Sequence, residues 1–162
     1  MANLKVTIRE EFTLNGYDQG AKNTLTISDV DEVFKRIVTC PANNETTIAR
    51  FRSSVGNASG TATFDSALDV QDVKYVRVTN LDSSNSLTLS LQVEVGEDDS
   101  GADTSASVLV EAGKSFVMGS PHYCISLSDA NANLVTDLVD LDSLVVQPGS
   151  NSVDVEVYVA SA

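Results

Sequence analysis

The stretch Val73–Gly96, VKYVRVTNLDSSNSLTLSLQVEVG, decides how the rest of the chain is read. Val76 and Val78 fall on one side of it, and Tyr75, Arg77 and Thr79 on the other. Beyond the polar centre Asp82-Ser83-Ser84-Asn85-Ser86, the residues Leu87, Leu89, Leu91, Val93 and Val95 share a single face. Strict alternation is the period of a half-buried β-strand, and a break rich in Asp, Ser and Asn between two such runs is a turn. Two antiparallel strands are therefore expected here, and nothing on them is reactive. Burying a Val or Leu side chain contributes about 1.5–3 kcal/mol, so this one face offers on the order of 8–15 kcal/mol before chain entropy is subtracted. It needs a cover, either an opposing sheet or another subunit.

The same period runs outward in both directions. Leu4, Val6 and Ile8 alternate with Lys5, Thr7 and Arg9; Leu25 and Ile27 mark a further strand; Val33 to Thr39 is a fuller apolar run closed by Cys40-Pro41. Thr46, Ile48, Arg50 and Arg52 alternate with Thr47, Ala49 and Phe51, and Val153, Val155, Val157 and Val159 with Asp154, Glu156 and Tyr158. The separators are turn-formers: Asn15-Gly16, Gly113-Lys114 and Pro148-Gly149-Ser150-Asn151. Runs spaced by about ten residues predict an all-β antiparallel fold, a sandwich or a barrel, with a jelly-roll-like sandwich as the expectation carried forward. The chain has 162 residues; that length suits a single domain over 1–162 with a sizeable core. One segment departs from the pattern. Leu134, Leu138, Leu141 and Val145 lie at helical intervals with Asp129 placed to cap them, so a short helix, or a loop with one helical turn, is expected there.

Ten basic and 23 acidic residues give a net charge of −13. Residues 1–53 carry seven of each sign, so the whole excess lies in 54–162. Such a surface repels phosphate backbones and anionic lipid, which argues against nucleic-acid and membrane-surface partners. No apolar run reaches the ~18–20 residues of a membrane span. The opening Met1-Ala2-Asn3-Leu4-Lys5-Val6 shows no apolar leader region, so assembly in a cytosol is expected. Cys40 and Cys124 form no C-x-x-C pair, and His122 alone cannot complete a Cys/His zinc site; both cysteines read as small buried thiols.

The search for chemistry returns little. There is no glycine-rich phosphate loop and no Gly-x-Ser-x-Gly elbow. His122, in Gly119-Ser120-Pro121-His122-Tyr123, reads as a turn or interface residue. The acidic run Glu97-Asp98-Asp99-Ser100-Gly101-Ala102-Asp103 is the best candidate for Ca²⁺, through Glu97, Asp98, Asp99 and Asp103, but it lacks the EF-hand spacing and reads first as a solvated loop between strands. Asp137, Asp140 and Asp142 invite the same comparison with the same answer. Asn44-Glu45-Thr46 and Asn57-Ala58-Ser59 match the glycosylation sequon without a secretory route to use it. No cofactor is implied, and no catalytic residue stands out.

Four segments together resemble small virion structural proteins of marine tailed bacteriophages. They are LKVTIREEFTLNGYDQGAKNTLTISDVDEVFKRIVTCP (Leu4–Pro41), VKYVRVTNLDSSNSLTLSL (Val73–Leu91), VLVEAGKSFVMG (Val108–Gly119) and SVDVEVYVASA (Ser152–Ala162). The resemblance runs from about Leu4 to Ala162 and is carried by strand and turn patterns. It implies a β-sandwich that coats or clamps a capsid from outside, often as a trimer, with the major capsid protein as partner and assembly in the host cytoplasm. It implies no catalytic residues. On that reading Lys35, Arg36, Arg50 and Arg52 face the shell, the acidic remainder faces water, and the face of Leu87, Leu89 and Leu91 is available for burial between subunits. A tail or tail-adaptor component is the alternative within a virion. A receptor- or glycan-binding module is the alternative outside that class, and would draw its aromatic patch from Tyr17, Tyr75, Tyr123 and Tyr158.

Overall fold

The computed structural model describes residues 2–52, 67–93, 104–127 and 137–162. Its strands are β1 (Ala2–Glu10), β2 (Thr13–Leu14), β3 (Tyr17–Asp18), β4 (Ala21–Val30), β5 (Glu32–Cys40), β6 (Thr46–Arg52), β7 (Leu68–Asp69), β8 (Val73–Asn80), β9 (Leu87–Val93), β10 (Thr104–Val110), β11 (Ser115–Met118), β12 (Leu141–Pro148) and β13 (Val153–Ser161). Two of its sheets pack as an antiparallel sandwich, one ordered β10-β9-β12-β6-β7 and the other β11-β8-β13-β5.

The topology is a rolled hairpin. Setting aside the two-residue β7, the first body strand β5 pairs with the last, β13. The second, β6, pairs with the second last, β12; β8 pairs with β11, and β9 with β10 at the centre. Folding one long antiparallel hairpin onto itself in this way produces a jelly roll. The expected fold class is the observed one.

The core lies between the sheets. Leu87, Leu89, Val93, Phe51, Leu144 and Val146 from one side meet Val76, Val78, Val155 and Val157 from the other, all essentially without exposure. Positions along β9 read buried and half-buried in strict turn, and β13 alternates as far as Val159, beyond which Ala160 and Ser161 are buried too. The opening stretch therefore spans both layers: β8 belongs to one sheet and β9 to the other.

Two bulges explain where the pattern misleads. On β12, Leu141 pairs with Val93 and Ser143 with Gln92, which leaves Asp142 as an extra residue. A bulge breaks the two-residue period, so Leu141 and Leu144 both face the core although they are three apart. The expected helix is accordingly corrected: Leu141 and Val145 lie in a strand, Leu138 lies in an irregular segment, and Leu134 and Asp129 fall outside the described residues. On β6 the register skips Ile48, between the pairs Val145–Thr47 and Leu144–Ala49. Ile48 is thereby buried beside Ala49 and does not share the solvent face of Arg50.

Outside the sandwich, β1 and β4 form a two-stranded antiparallel ribbon, and β2 and β3 form a small hairpin at its tip. The tip turn is Asn15-Gly16, both with positive φ (51° and 82°), the backbone that an Asn-Gly pair adopts readily in a two-residue hairpin. Gly20 closes the tip: a Cβ there would lie 2.3 Å from the Glu10 carbonyl oxygen, so only glycine fits.

Candidate interaction surfaces

The register of the ribbon sorts its side chains into two faces. Leu4 stands opposite Ile27, Val6 opposite Leu25, Ile8 opposite Asn23 and Glu10 opposite Ala21. Facing pairs share a side of the ribbon, so Leu4, Ile27, Val6, Leu25 and Ile8 make one apolar stripe that ends at Glu10. The other side is polar, with Lys5 opposite Thr26, Thr7 opposite Thr24 and Arg9 opposite Lys22, and the Thr7 and Thr24 hydroxyls 3.2 Å apart.

Only the base of this stripe is covered. Leu4, Val6 and Ile27 pack against Tyr75, Tyr158 and Ala160 on the outer face of the four-stranded sheet, together with buried Val30. Asp31 is the one residue between β4 and β5, and its amide donates to the Ser161 carbonyl at 3.1 Å. Farther out, Ile8 and Leu25 are 55% and 53% exposed, and Phe12, Leu14 and Tyr17 at the tip are exposed as well. A long amphipathic ribbon thus leaves the body with half of its apolar side in water.

The face beneath it continues past the seat. Among the described residues, strand β5 is the edge of its sheet and pairs with β13 alone. Register with β13 puts Val33 beside Ala160, Lys35 beside Tyr158 and Ile37 beside Glu156 on the outer side, while Phe34 and Val38 turn inward to the core. Val33 and Ile37 are 50% and 60% exposed. A row of charges crosses the same face: Lys35 Nζ lies 3.0 Å from Glu156, and Arg77 pairs with the other carboxylate oxygen while lying over the Tyr158 ring. Two cations beside it hold the Glu156 carboxyl below its ordinary value, the hydrogen bond from Lys35 most of all.

The expected shell-binding cations do not form one patch. Lys35 faces outward from the four-stranded sheet, and Arg36 sits on the edge strand over the Phe34 ring. Arg50 faces outward from the opposite sheet, and half-buried Arg52 on the same strand is ion-paired with Asp142 at the β12 bulge. The leucines are corrected outright. Leu87, Leu89 and Leu91 are 1%, 0% and 9% exposed and covered by the chain's own second sheet, so they offer no surface to another subunit.

The remaining expectations resolve individually. Glu97, Asp98, Asp99 and Asp103, and the sequon at Asn57, lie outside the described residues. Asp137 is exposed, Asp142 belongs to Arg52, and Asp140 accepts the Tyr123 amide at 2.7 Å with His122 Nδ1 2.8 Å away; the three do not converge. Among the described residues no three His, Cys, Asp or Glu come together to hold a metal ion. His122 lies in the loop before the Ile125–Val139 bridge, next to Tyr123, whose φ of 45° is stabilised by the contact with Asp140. Cys40 and Cys124 are free thiols, each pushed up from its ordinary pKa chiefly by burial. Tyr17 and Tyr123 are exposed on separate elements, while Tyr75 and Tyr158 meet edge to face, 6.1 Å apart, at the base of the ribbon.

The sequence reading missed the exposed half of the ribbon and the outer side of β5. Alternation shows which residues share a face; it does not show whether a face is covered.

No protein-family model matches the sequence, and no curated protein matches it. Among solved structures, one from work titled "Bacillus endospore appendages form a novel family of disulfide-linked pili" is 10% identical, with a TM-score of 0.41 over 81% of this chain and 85% of that one.

Proposed function

We propose that this protein is a structural subunit of a virion, a decoration protein that holds to the outside of a capsid through protein–protein contacts and stabilises the shell. The observation that carries the reading is the ribbon whose apolar side outruns its own body, with Ile8, Leu25, Phe12, Leu14 and Tyr17 in water. An isolated two-stranded ribbon is marginal in water, and contiguous exposed apolar surface marks a contact site. The strand and turn sequences that resemble marine phage virion proteins support the virion setting. The jelly-roll topology supports it by analogy only, because that fold serves viral capsids, lectins and cupins alike.

Adhesion of this kind tolerates weak single contacts. Copies arrayed at fixed spacing on a shell gain avidity through effective concentration, and a homo-oligomer such as a trimer gains it again locally. The acidic surface keeps coated particles apart. Imaging purified particles tests the reading: density on the capsid exterior, in a number that tracks the shell subunits, is expected. A small ring of copies at the tail would make this a tail component, and absence from particles would overturn the proposal.

A further inference from the structure

We propose that the apolar stripe of the N-terminal ribbon of one copy seats on the outer face of the four-stranded sheet of a second copy, along Val33, Lys35 and Ile37. The contact takes the same exposed ribbon and names a second copy as its occupant; it is a property of the chain in solution and is tested apart from any particle.

Three observations name a second copy as the occupant. First, the ribbon already uses this kind of seat: its base lies on Tyr75, Tyr158 and Ala160 of its own sheet, and the same outer face continues, uncovered, to Val33 and Ile37. The distal half, Ile8 and Leu25, stays exposed, so the chain's own floor does not take it. Second, the charges match. The only charged residue among the register-paired positions of the stripe side is Glu10, and the only charged β5 residue between the exposed apolar pair Val33 and Ile37 on the floor is Lys35. Arg9 and Lys22 lie on the ribbon's other side, away from the contact. Lys35 is 55% exposed at its side chain, so it can reach Glu10 of a second copy while Arg77 keeps Glu156 paired. Third, each chain carries one ribbon and one floor, two different surfaces in equal number. Such a contact is head-to-tail, and closes into a ring when the rotation allows.

The test uses the full-length chain and two variants, Ile8→Asp/Leu25→Asp in the ribbon and Ile37→Asp in the floor. Sedimentation at rising concentration should show the wild type self-associating. Each variant should bind itself at least about 30-fold more weakly, the scale of losing a central contact of 2 kcal/mol. At concentrations low enough for the wild type to be monomeric, melting temperatures of the variants should stay near its own, because all three positions are exposed. Mixing is decisive. The ribbon variant still has a good floor and the floor variant a good ribbon, so the mixture should form a one-to-one dimer that neither forms alone. A wild type that stays monomeric would overturn the proposal. So would self-association insensitive to Ile37→Asp, which would mean that ribbons meet each other.

Discussion

The side-chain amide of Asn80 donates to the Asn85 carbonyl at 2.8 Å, and in doing so ties the end of one sheet to the start of the other. Asn80 is fully buried at the end of β8, and Asn85 lies two residues before β9. The same amide also reaches the Val110 carbonyl at 3.2 Å, and its oxygen accepts the Asp82 amide at 3.0 Å. Every polar atom of a buried group is thus engaged, which is the condition for burying one at all.

Replacing Asn80 by Ala removes these bonds and leaves buried carbonyls without donors. A loss of about 2 kcal/mol is expected. For a domain of this size that is a fall in melting temperature of roughly 4–8 °C. Calorimetry of Asn80→Ala measures it; an unchanged melting temperature would mean that the crossover between sheets is held by other contacts.

Asp82 organises the same crossover from the solvent side. Its carboxylate accepts the amides of Ser84 and Asn85, both at 2.7 Å, and these hold its pKa below the ordinary 3.8, with Ser84 first. A carboxyl whose pKa is depressed by folding stabilises the fold at pH above its unfolded value. That contribution fades as pH falls through the lower, folded value. The stability gap between wild type and Asp82→Ala should therefore be constant at neutral pH and shrink below about pH 4. Denaturant midpoints across that range test the sign, and a gap that widens in acid would contradict it.

How much of this was legible depended on which physical term decided each residue. Alternation fixed β8, β9 and β13 because one face of each is buried and the period is two. The Asn15-Gly16 turn was legible because positive φ selects those residues. The helix expected through Leu138, Leu141 and Val145 failed because Leu141 and Val145 lie on one strand, on either side of the bulge at Asp142, and only Leu141 joins the shared core. The basic group was illegible for a different reason. Lys35 and Arg50 belong to strands adjacent in sequence but to opposite sheets of the roll, which local pattern does not encode.

The leucine face gives the third prediction. Leu89 has no exposure and belongs to the same core cluster as Val76, Val78, Val155 and Val157. Leu89→Ala should cost about 2–5 kcal/mol by losing transfer energy and leaving a cavity. The loss should appear in isolated protein at low concentration and be independent of concentration. A loss seen only where the wild type associates would return this face to an intermolecular role.

Arg50 and Arg52 are neighbours on one strand with separable roles. Arg52 compensates Asp142, whose side chain is 10% exposed, so Arg52→Glu sets two carboxylates together beside the core and should destabilise the fold by about 2 kcal/mol or more. Any loss of shell binding in that variant would be uninformative. Arg50 projects from the outer side of the five-stranded sheet, the side left open when the ribbon of another copy covers the four-stranded one. Arg50→Glu should melt within a few degrees of wild type and yet reduce occupancy on purified shells, with k_on and its salt dependence changing first, as for a charge at the rim of a contact. Occupancy on shells equal to that of the wild type would remove this face from the capsid contact and leave the acidic side of the molecule, or the ribbon itself, to make it.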